Sequence, residues 1–256
     1  MLINYKKLQD QKEELNQKWN NQKPFRYLVI DDFLLEEKAE ALHDAYPKVE
    51  DAAWENTTYI NQKNKFVKTN FEDAPVLAEI FDELNGQSFR DILSGITSID
   101  GILADENLFG AGLHQSINGA FLDVHVDFNI HPETNYHRRM NLLIYMNKDW
   151  KESYNGYLEL WDMSEKKQIE NVSPKFNRAV IFETNEISYH GHPKKLNTPK
   201  GVTRKSISVY YYTETRPKNE IADSHNTIYA NTQGMSGTIK NIKSGVKASI
   251  ERLLGK

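Results

Sequence analysis

Phe121-Leu-Asp-Val-His-Val-Asp-Phe-Asn-Ile130 alternates polar and apolar side chains. Successive side chains of a strand point to opposite faces, so this period of two predicts a β-strand. Asp123, His125, Asp127 and Asn129 then share one face, and Leu122, Val124, Val126, Phe128 and Ile130 share the other. On a half-exposed strand the polar face meets water. In a barrel or jelly roll it lines an internal pocket instead.

Downstream, the chain continues in short strand-like runs at 141–147, 156–162, 178–184 and 203–213, and the quoted stretch belongs to a run at 119–130. Upstream, residues 4–22 are polar and helix-prone. Phe25-Arg-Tyr-Leu-Val-Ile30 reads as a strand, Leu34 to Tyr46 as a helix capped by Asp31 and Asp32, and 74–96 as a second helical zone. The pattern predicts a mainly β protein with supporting α-helices, its strands carried by a helical N-terminal third.

The first polar face contains a His-x-Asp pair, His125 and Asp127, and His190 follows in Ser188-Tyr-His-Gly-His192. Two imidazoles and a carboxylate on one side of a metal leave its opposite side open, the ligand set of non-haem Fe(II) oxygenases. Alone the pair is a weak signal. His131-Pro-Glu133 is a rival that proline makes a poor ladder strand, and Asp123 is an alternative carboxylate. His131 and His137 read as solvated loop residues. The run after His190 repeats the pattern, with Arg204, Ser206, Ser208 and Tyr210 on one face and Ile207, Val209 and Tyr211 on the other. A guanidinium beside a hydroxyl can hold a carboxylate.

Composition bounds the remaining possibilities. The 256 residues, 39% hydrophobic and 27% charged, suit one large domain. A net charge of -4 offers no electrostatic case for nucleic acid or an anionic membrane. The absence of cysteine excludes disulfides, thiolate metal sites and cysteine nucleophiles, so any metal sits on His, Asp or Glu. No signal peptide or membrane span is apparent, and a cytoplasmic location is expected. The sequons at Asn56 and Asn171 read as chance matches, and Gly110-Ala-Gly112 as a loop without the context of a phosphate site. Trp161 and Tyr211 read as core aromatics, with Tyr210 open between core and pocket. Met235, Ile239, Ile242, Val246, Ile250, Leu253 and Leu254 predict an amphipathic C-terminal helix docked on its own domain.

Several segments, in order, resemble the 2-oxoglutarate/Fe(II)-dependent dioxygenases and in particular their prolyl 4-hydroxylase-like branch. They are Pro24-Phe-Arg-Tyr-Leu-Val-Ile-Asp-Asp-Phe-Leu34, His125-Val-Asp127, Arg138-Arg-Met-Asn-Leu-Leu-Ile-Tyr-Met-Asn-Lys-Asp-Trp150, Asn155-Gly-Tyr-Leu-Glu-Leu-Trp161, Phe176-Asn-Arg-Ala-Val-Ile-Phe182, Ser188-Tyr-His-Gly191 and Thr203-Arg-Lys-Ser206. The resemblance implies a double-stranded β-helix (jelly roll, cupin-like) over residues 24–215, preceded by an N-terminal helical extension, 1–23, and followed by a C-terminal tail, 216–256. It implies His125, Asp127 and His190 as the Fe(II) ligands, and Arg204, Ser206 and Tyr145 at the far carboxylate of 2-oxoglutarate. Gln115 falls where related enzymes often carry a cosubstrate-contacting tyrosine. Two features depart from the pattern. Asn155 replaces the first glycine of the usual Gly-Gly, and a longer segment, Lys194 to Val202, separates His190 from Arg204 and is expected at the substrate entrance.

The implied reaction consumes dioxygen and 2-oxoglutarate, with ascorbate as a reductant, and hydroxylates a C–H bond while succinate and carbon dioxide leave. A prolyl residue of a peptide or protein is the expected substrate. The alternatives are a free amino acid, a sugar or a natural-product intermediate, or a non-catalytic jelly-roll binding protein. A long groove lined by 50–70 and 194–202 would favour peptide, whereas a closed pocket would favour a small ligand. The oligomeric state has no sequence signal.

Overall fold

A computed structural model describes residues 1–50, 54–72 and 74–230. The C-terminal amphipathic helix expected at 235–254 lies outside the described residues. Among those described, no helix is long and apolar enough to cross a membrane.

The N-terminal third supplies a layer of helices. Asn4 caps α1 (Tyr5–Asp10) by accepting the Lys7 N–H, and α2 (Lys12–Asn21) buries Leu15 and Trp19 one turn apart. After β1 (Tyr27–Ile30) comes α3 (Glu36–Asp44). Asp31 and Asp32 do not cap it. Leu35 holds the cap position without a side-chain bond, while Asp31 faces Arg178 and Asp32 takes a left-handed φ of 47°. Two short strands, β2 (Glu55–Tyr59) and β3 (Gln62–Lys68), then form a hairpin. Helices α4 (Pro75–Asn85) and α5 (Gln87–Thr97) follow, with Pro75 in the first turn of α4. Their buried residues, Leu77, Ile80, Phe81 and Leu84, then Phe89, Leu93 and Ile96, recur at three- and four-residue spacing.

The remaining strands are β4 (Gly112–Val126), β5 (His137–Tyr145), β6 (Leu158–Asp162), β7 (Lys167–Val172), β8 (Arg178–Glu183), β9 (Tyr189–His192), β10 (Arg204–Thr213) and β11 (Ile228–Tyr229). They join one antiparallel, eleven-stranded sheet with the order β1-β8-β5-β10-β4-β9-β6-β7, while β3 and β11 also pair with β4. This is the mainly β jelly-roll architecture expected. Strand β4 belongs to both halves of the roll. Residues 112–116 pair with β10, and after a bulge between Leu122 and His125 its second half pairs with β9.

Alternation along the central strands divides their residues between two cores. Leu142, Ile144, Ile207, Val209 and Tyr211 join the cluster that includes Trp19, Phe81 and Phe89 from the helices. Tyr145, Leu158, Leu160, Val180 and Phe182 fill the interior of the roll together with Phe25 and Tyr27. Trp19 is fully buried and α2 packs on α5, so the first 21 residues are a packed layer of this domain. Tyr211 is a core residue as expected. Trp161 is not: it sits half-buried at the roll's edge, its indole N–H donating to Glu159.

The hairpin β2–β3, β7 and β9 escaped the sequence reading. Glu55–Tyr59 and Gln62–Lys68 are almost wholly polar, and β9 is four residues long with a central glycine. Neither has the apolar alternation that marks a strand.

Candidate active site

The two halves of the roll enclose a cavity of about 270 Å³. Its floor is built in rungs across neighbouring strands. Lys65 on β3 and Arg204 on β10 both pair with Ser116 on β4, and Val67, His114 and Ser206 form the next rung. Tyr210, Asn141 and Phe182 make a third across β10, β5 and β8. All nine line the cavity.

At one side lie His125, Asp127 and His190. His125 and His190 are directly paired between β4 and β9, and the three offer ligand atoms within 4.8 Å of one another. Each imidazole Nε2 lies 3.5 Å from a carboxylate oxygen of Asp127. Each Nδ1 lies within hydrogen-bond distance of a main-chain carbonyl two residues back, Asp123 O at 2.8 Å and Ser188 O at 2.9 Å. A carbonyl only accepts, so Nδ1 carries a hydrogen in both rings and Nε2 is the atom turned toward the carboxylate. Burial pushes the His190 imidazole down to about 4, despite the opposing pull of Asp127, which leaves it neutral and ready to donate its lone pair near pH 7.

Asp127 is held from behind. Asn141 Nδ2 donates to it at 2.7 Å and Arg138 Nη2 lies 3.1 Å away, while Arg138 also donates to Asn141 Oδ1. Burial alone would raise this carboxyl. The Arg138 guanidinium, the strongest opposing charge, holds it well below the usual range instead. Arg138 is itself sandwiched, its guanidinium carbon 3.6 Å from the Tyr210 ring centre and 4.5 Å from that of Phe128. Two imidazoles and one ionised carboxylate form a donor set for a single divalent metal ion.

Arg204 lies further along the floor. It is buried, donates to Gly156 O at 2.7 Å and to the Tyr145 hydroxyl at 3.1 Å, and forms no ion pair with a carboxylate among the described residues. A buried guanidinium without a counter-ion, facing a cavity beside Ser206, fits an incoming carboxylate. Asn155 keeps the glycine-like backbone of the position it fills, with φ 58°, and Gly156 at φ 74° brings its carbonyl to Arg204.

Some expected residues fall elsewhere. Gln115 points away from the cavity, because its neighbours His114 and Ser116 take the inward face, and its amide donates to Pro47 O on the far side of the sheet. The segment 194–202 does not line the cavity either, and Thr198 to Val202 border a separate depression with Gln115. The bulge in β4 breaks the simple alternation, so Leu122 faces the cavity and Asp123 bonds Asn61 instead of joining the donor cluster. His131 is buried, its Nε2 3.6 Å from Asp105, and His137 begins β5. Neither is a solvated loop residue.

Other cavity residues were missed. Tyr59, Gln62 and Lys65 come from the unrecognised hairpin, and Thr227 and Tyr229 from a segment read only as tail. Tyr229 pairs with His125 through β11, its ring centre 5.5 Å from the imidazole. Asn141 was recoverable, since it shares a face with Tyr145 on a clear strand.

Residues 111–212, which contain the three donors and Arg204, match the sequence profile of the 2OG-Fe(II) oxygenase superfamily. The chain resembles that superfamily over this segment. Fe(II) and 2-oxoglutarate are the cofactors that superfamily uses. The chain is 23% identical over 194 residues to the prolyl 3-hydroxylase OGFOD1 of Mus musculus, a match covering 74% of this chain and 33% of that protein. The chain thus spans about a third of the length of that relative. In fold it resembles a Pseudomonas putida prolyl-4-hydroxylase (TM-score 0.54, 15% identity, 78% of this chain and 98% of the other). It also resembles a Trichoplax adhaerens prolyl hydroxylase in complex with a hypoxia inducible factor peptide fragment (TM-score 0.53, 16% identity, 81% and 93%).

Proposed function

We propose that this oxygenase hydroxylates a prolyl residue of a peptide or protein substrate, with His125, Asp127 and His190 as the iron ligands and Arg204, Ser206 and Tyr145 at the distal carboxylate of 2-oxoglutarate. The observation that carries the reading is a single cavity with a three-donor cluster at one side and a buried, counter-ion-free Arg204 on its floor. Fe(II) and 2-oxoglutarate bound there supply, with dioxygen, the oxidising power to hydroxylate a C–H bond as succinate and carbon dioxide leave.

The chain's own residues bind and orient. The carbonyls of Asp123 and Ser188 fix the two imidazoles, and Asn141 and Arg138 fix the carboxylate between them. Arg204, held by Gly156 O and the Tyr145 hydroxyl, is ready to receive a carboxylate without rearranging. Leu143, Leu158 and Phe182 keep the inner wall apolar and exclude water from the reacting centre.

The prolyl substrate is supported by the mouse relative, named as a prolyl 3-hydroxylase. Purified protein supplied with Fe(II), 2-oxoglutarate and air is tested by mass spectrometry against proline-containing peptides, free amino acids and sugars. A one-oxygen gain on a prolyl peptide, matched by succinate and lost in Asp127→Ala, is the expected result. Oxygen gain confined to a free amino acid or sugar would overturn the peptide assignment, and no succinate from any mixture would overturn the reaction.

A further inference from the structure

We propose that Tyr229 is a specificity-determining residue, its ring forming the surface against which the substrate's prolyl ring packs beside the donor cluster. The inference rests on the prolyl reading given above.

Register and distance carry it first. His125 of β4 is the direct partner of His190 on β9 and of Tyr229 on β11, so three neighbouring strands contribute one residue each to a single rung. Directly opposed residues of an antiparallel pair share a face, and all three line the cavity. The ring centres of His190 and His125 lie 4.4 Å apart, and those of His125 and Tyr229 lie 5.5 Å apart. Tyr229 therefore stands next to the donor cluster, on the edge of β4 opposite β9. Arg204 and Ser206 pair with the first half of β4, at Ser116 and His114. The carboxylate-binding end of the floor and Tyr229 belong to opposite halves of that strand, which leaves the phenol ring to the second reactant.

The way Tyr229 is held carries it second. The segment that delivers it is fastened at successive points. Arg216 donates to Thr184 O at 2.8 Å, and Glu220 lies 3.4 Å from Arg139. Asn129 donates to Asp223 O at 2.8 Å and accepts the His225 N–H at 3.0 Å, while His225 Nε2 lies 3.0 Å from Glu186. Beyond Tyr229, the Ala230 N–H donates to Val124 O at 2.7 Å. A ring placed in this way is preorganised, and little freedom is lost when a ligand packs on it. The face of an aromatic ring is broad, apolar and partly negative. A prolyl ring matches it with C–H groups polarised by the amide nitrogen. The segment also lies beyond residues 111–212, the part that matches the superfamily profile, as expected of an element that sets substrate choice and not the shared chemistry.

The test uses the proline-containing peptide that gains oxygen fastest with the wild-type protein. It follows the peptide KM, the succinate formed per hydroxylated peptide, and calorimetric affinity for Mn(II) and 2-oxoglutarate. Tyr229→Ala is expected to raise the peptide KM roughly three- to tenfold and to raise succinate per product, as oxidation loses its target. Both affinities should be nearly unchanged. Tyr229→Phe, which keeps the ring, should restore KM and ratio, and Tyr229→Leu serves as a second ringless variant should alanine not fold. Unchanged peptide KM and ratio in the ringless variants overturn the proposal. So does a phenylalanine variant as impaired as alanine, which would assign the hydroxyl, or a loss confined to Mn(II) affinity, which would make Tyr229 a support for His125. A wild-type protein that hydroxylates no prolyl peptide would instead overturn the functional reading on which the proposal rests.

Discussion

His125 and His190 face each other across the β4–β9 pairing with ring centres 4.4 Å apart, and each is tied through Nδ1 to the main-chain carbonyl two residues before it. The same local device, used on two strands, sets both Nε2 atoms toward Asp127. The donor cluster is therefore positioned by backbone as much as by side chains, and its geometry depends on how closely the two strands approach.

Gly191 sets that approach. A Cβ there would lie 2.8 Å from Leu122 O, 2.9 Å from Asp123 O and 3.0 Å from Val124 Cα, all backbone atoms of β4. Gly191→Ala is expected to cost about 1–3 kcal/mol of stability and to weaken Mn(II) binding by pushing His190 from His125. Native metal affinity in a folded Gly191→Ala protein, measured by calorimetry, would separate strand spacing from metal geometry.

Asn141→Ala removes the amide that donates to Asp127 without touching a ligand. Loss of such an outer partner typically lowers metal affinity about ten- to a hundredfold. Asn141→Asp should be worse than alanine, because it places a second carboxylate beside Asp127. Mn(II) titration followed by electron paramagnetic resonance reads both.

Arg204→Ala should raise the dissociation constant for 2-oxoglutarate by roughly thirtyfold or more, corresponding to about 2 kcal/mol, with Mn(II) binding nearly intact. Tyr145→Phe deletes one hydrogen bond to that guanidinium and should cost a few-fold, about 0.5–1.5 kcal/mol. If Arg204→Ala leaves cosubstrate affinity unchanged, the arginine is not at the cosubstrate.

His114 provides a pH signature in the metal-free protein. It is buried between the Ser208 hydroxyl, 3.1 Å from Nδ1, and Gly110 O, 3.2 Å from Nε2. Burial first and then Lys65 hold its pKa well below the ordinary 6.5. Above that value neither folded nor unfolded chain protonates it. Below it the unfolded chain takes up a proton that the folded one refuses, so stability falls as pH falls, by up to about 1.4 kcal/mol per pH unit for one such group. His114→Gln keeps an acceptor and a donor, and urea unfolding between about pH 6.5 and 5 should show a shallower slope. Equal slopes would assign the acid sensitivity to other groups.

Trp19 tests whether the leading helices are part of the domain. Its full burial in the main core predicts that Trp19→Ala costs about 3–5 kcal/mol. A variant starting at residue 24 should lose cooperative unfolding. Native-like melting of that variant would show the first helices to be dispensable.

How much of this was legible depended on whether a residue's role follows from its own strand. His125, Asp127, Arg204 and Tyr210 sit on long strands with clear alternation, and their inward faces could be read directly. Gln115 could not, because the segment before the quoted run was not recognised as the first half of β4, and a one-residue difference in phase exchanges the inward and outward sets. Asp123 and Leu122 were misassigned for a related reason, the bulge, which no composition rule marks. Lys65 and Tyr229 reach the cavity only through pairing with β4, a long-range event that leaves no trace in their own polar neighbourhoods.

Because β4 runs through both halves of the roll, it ties the donor cluster and the cavity floor beside Arg204 to one continuous reading frame. A single-residue insertion between Ser116 and His125 would rotate everything beyond it to the opposite face and abolish the donor cluster, although every chemical group were still present. The hairpin that bears Tyr59 and the segment that bears Tyr229 are under no such constraint. They pair along the outer edge of β4 and can change length or composition without moving a ligand. The fold thus separates an element in which length is fixed by the chemistry from a rim in which it is not, and substrate choice is the property left open to redesign.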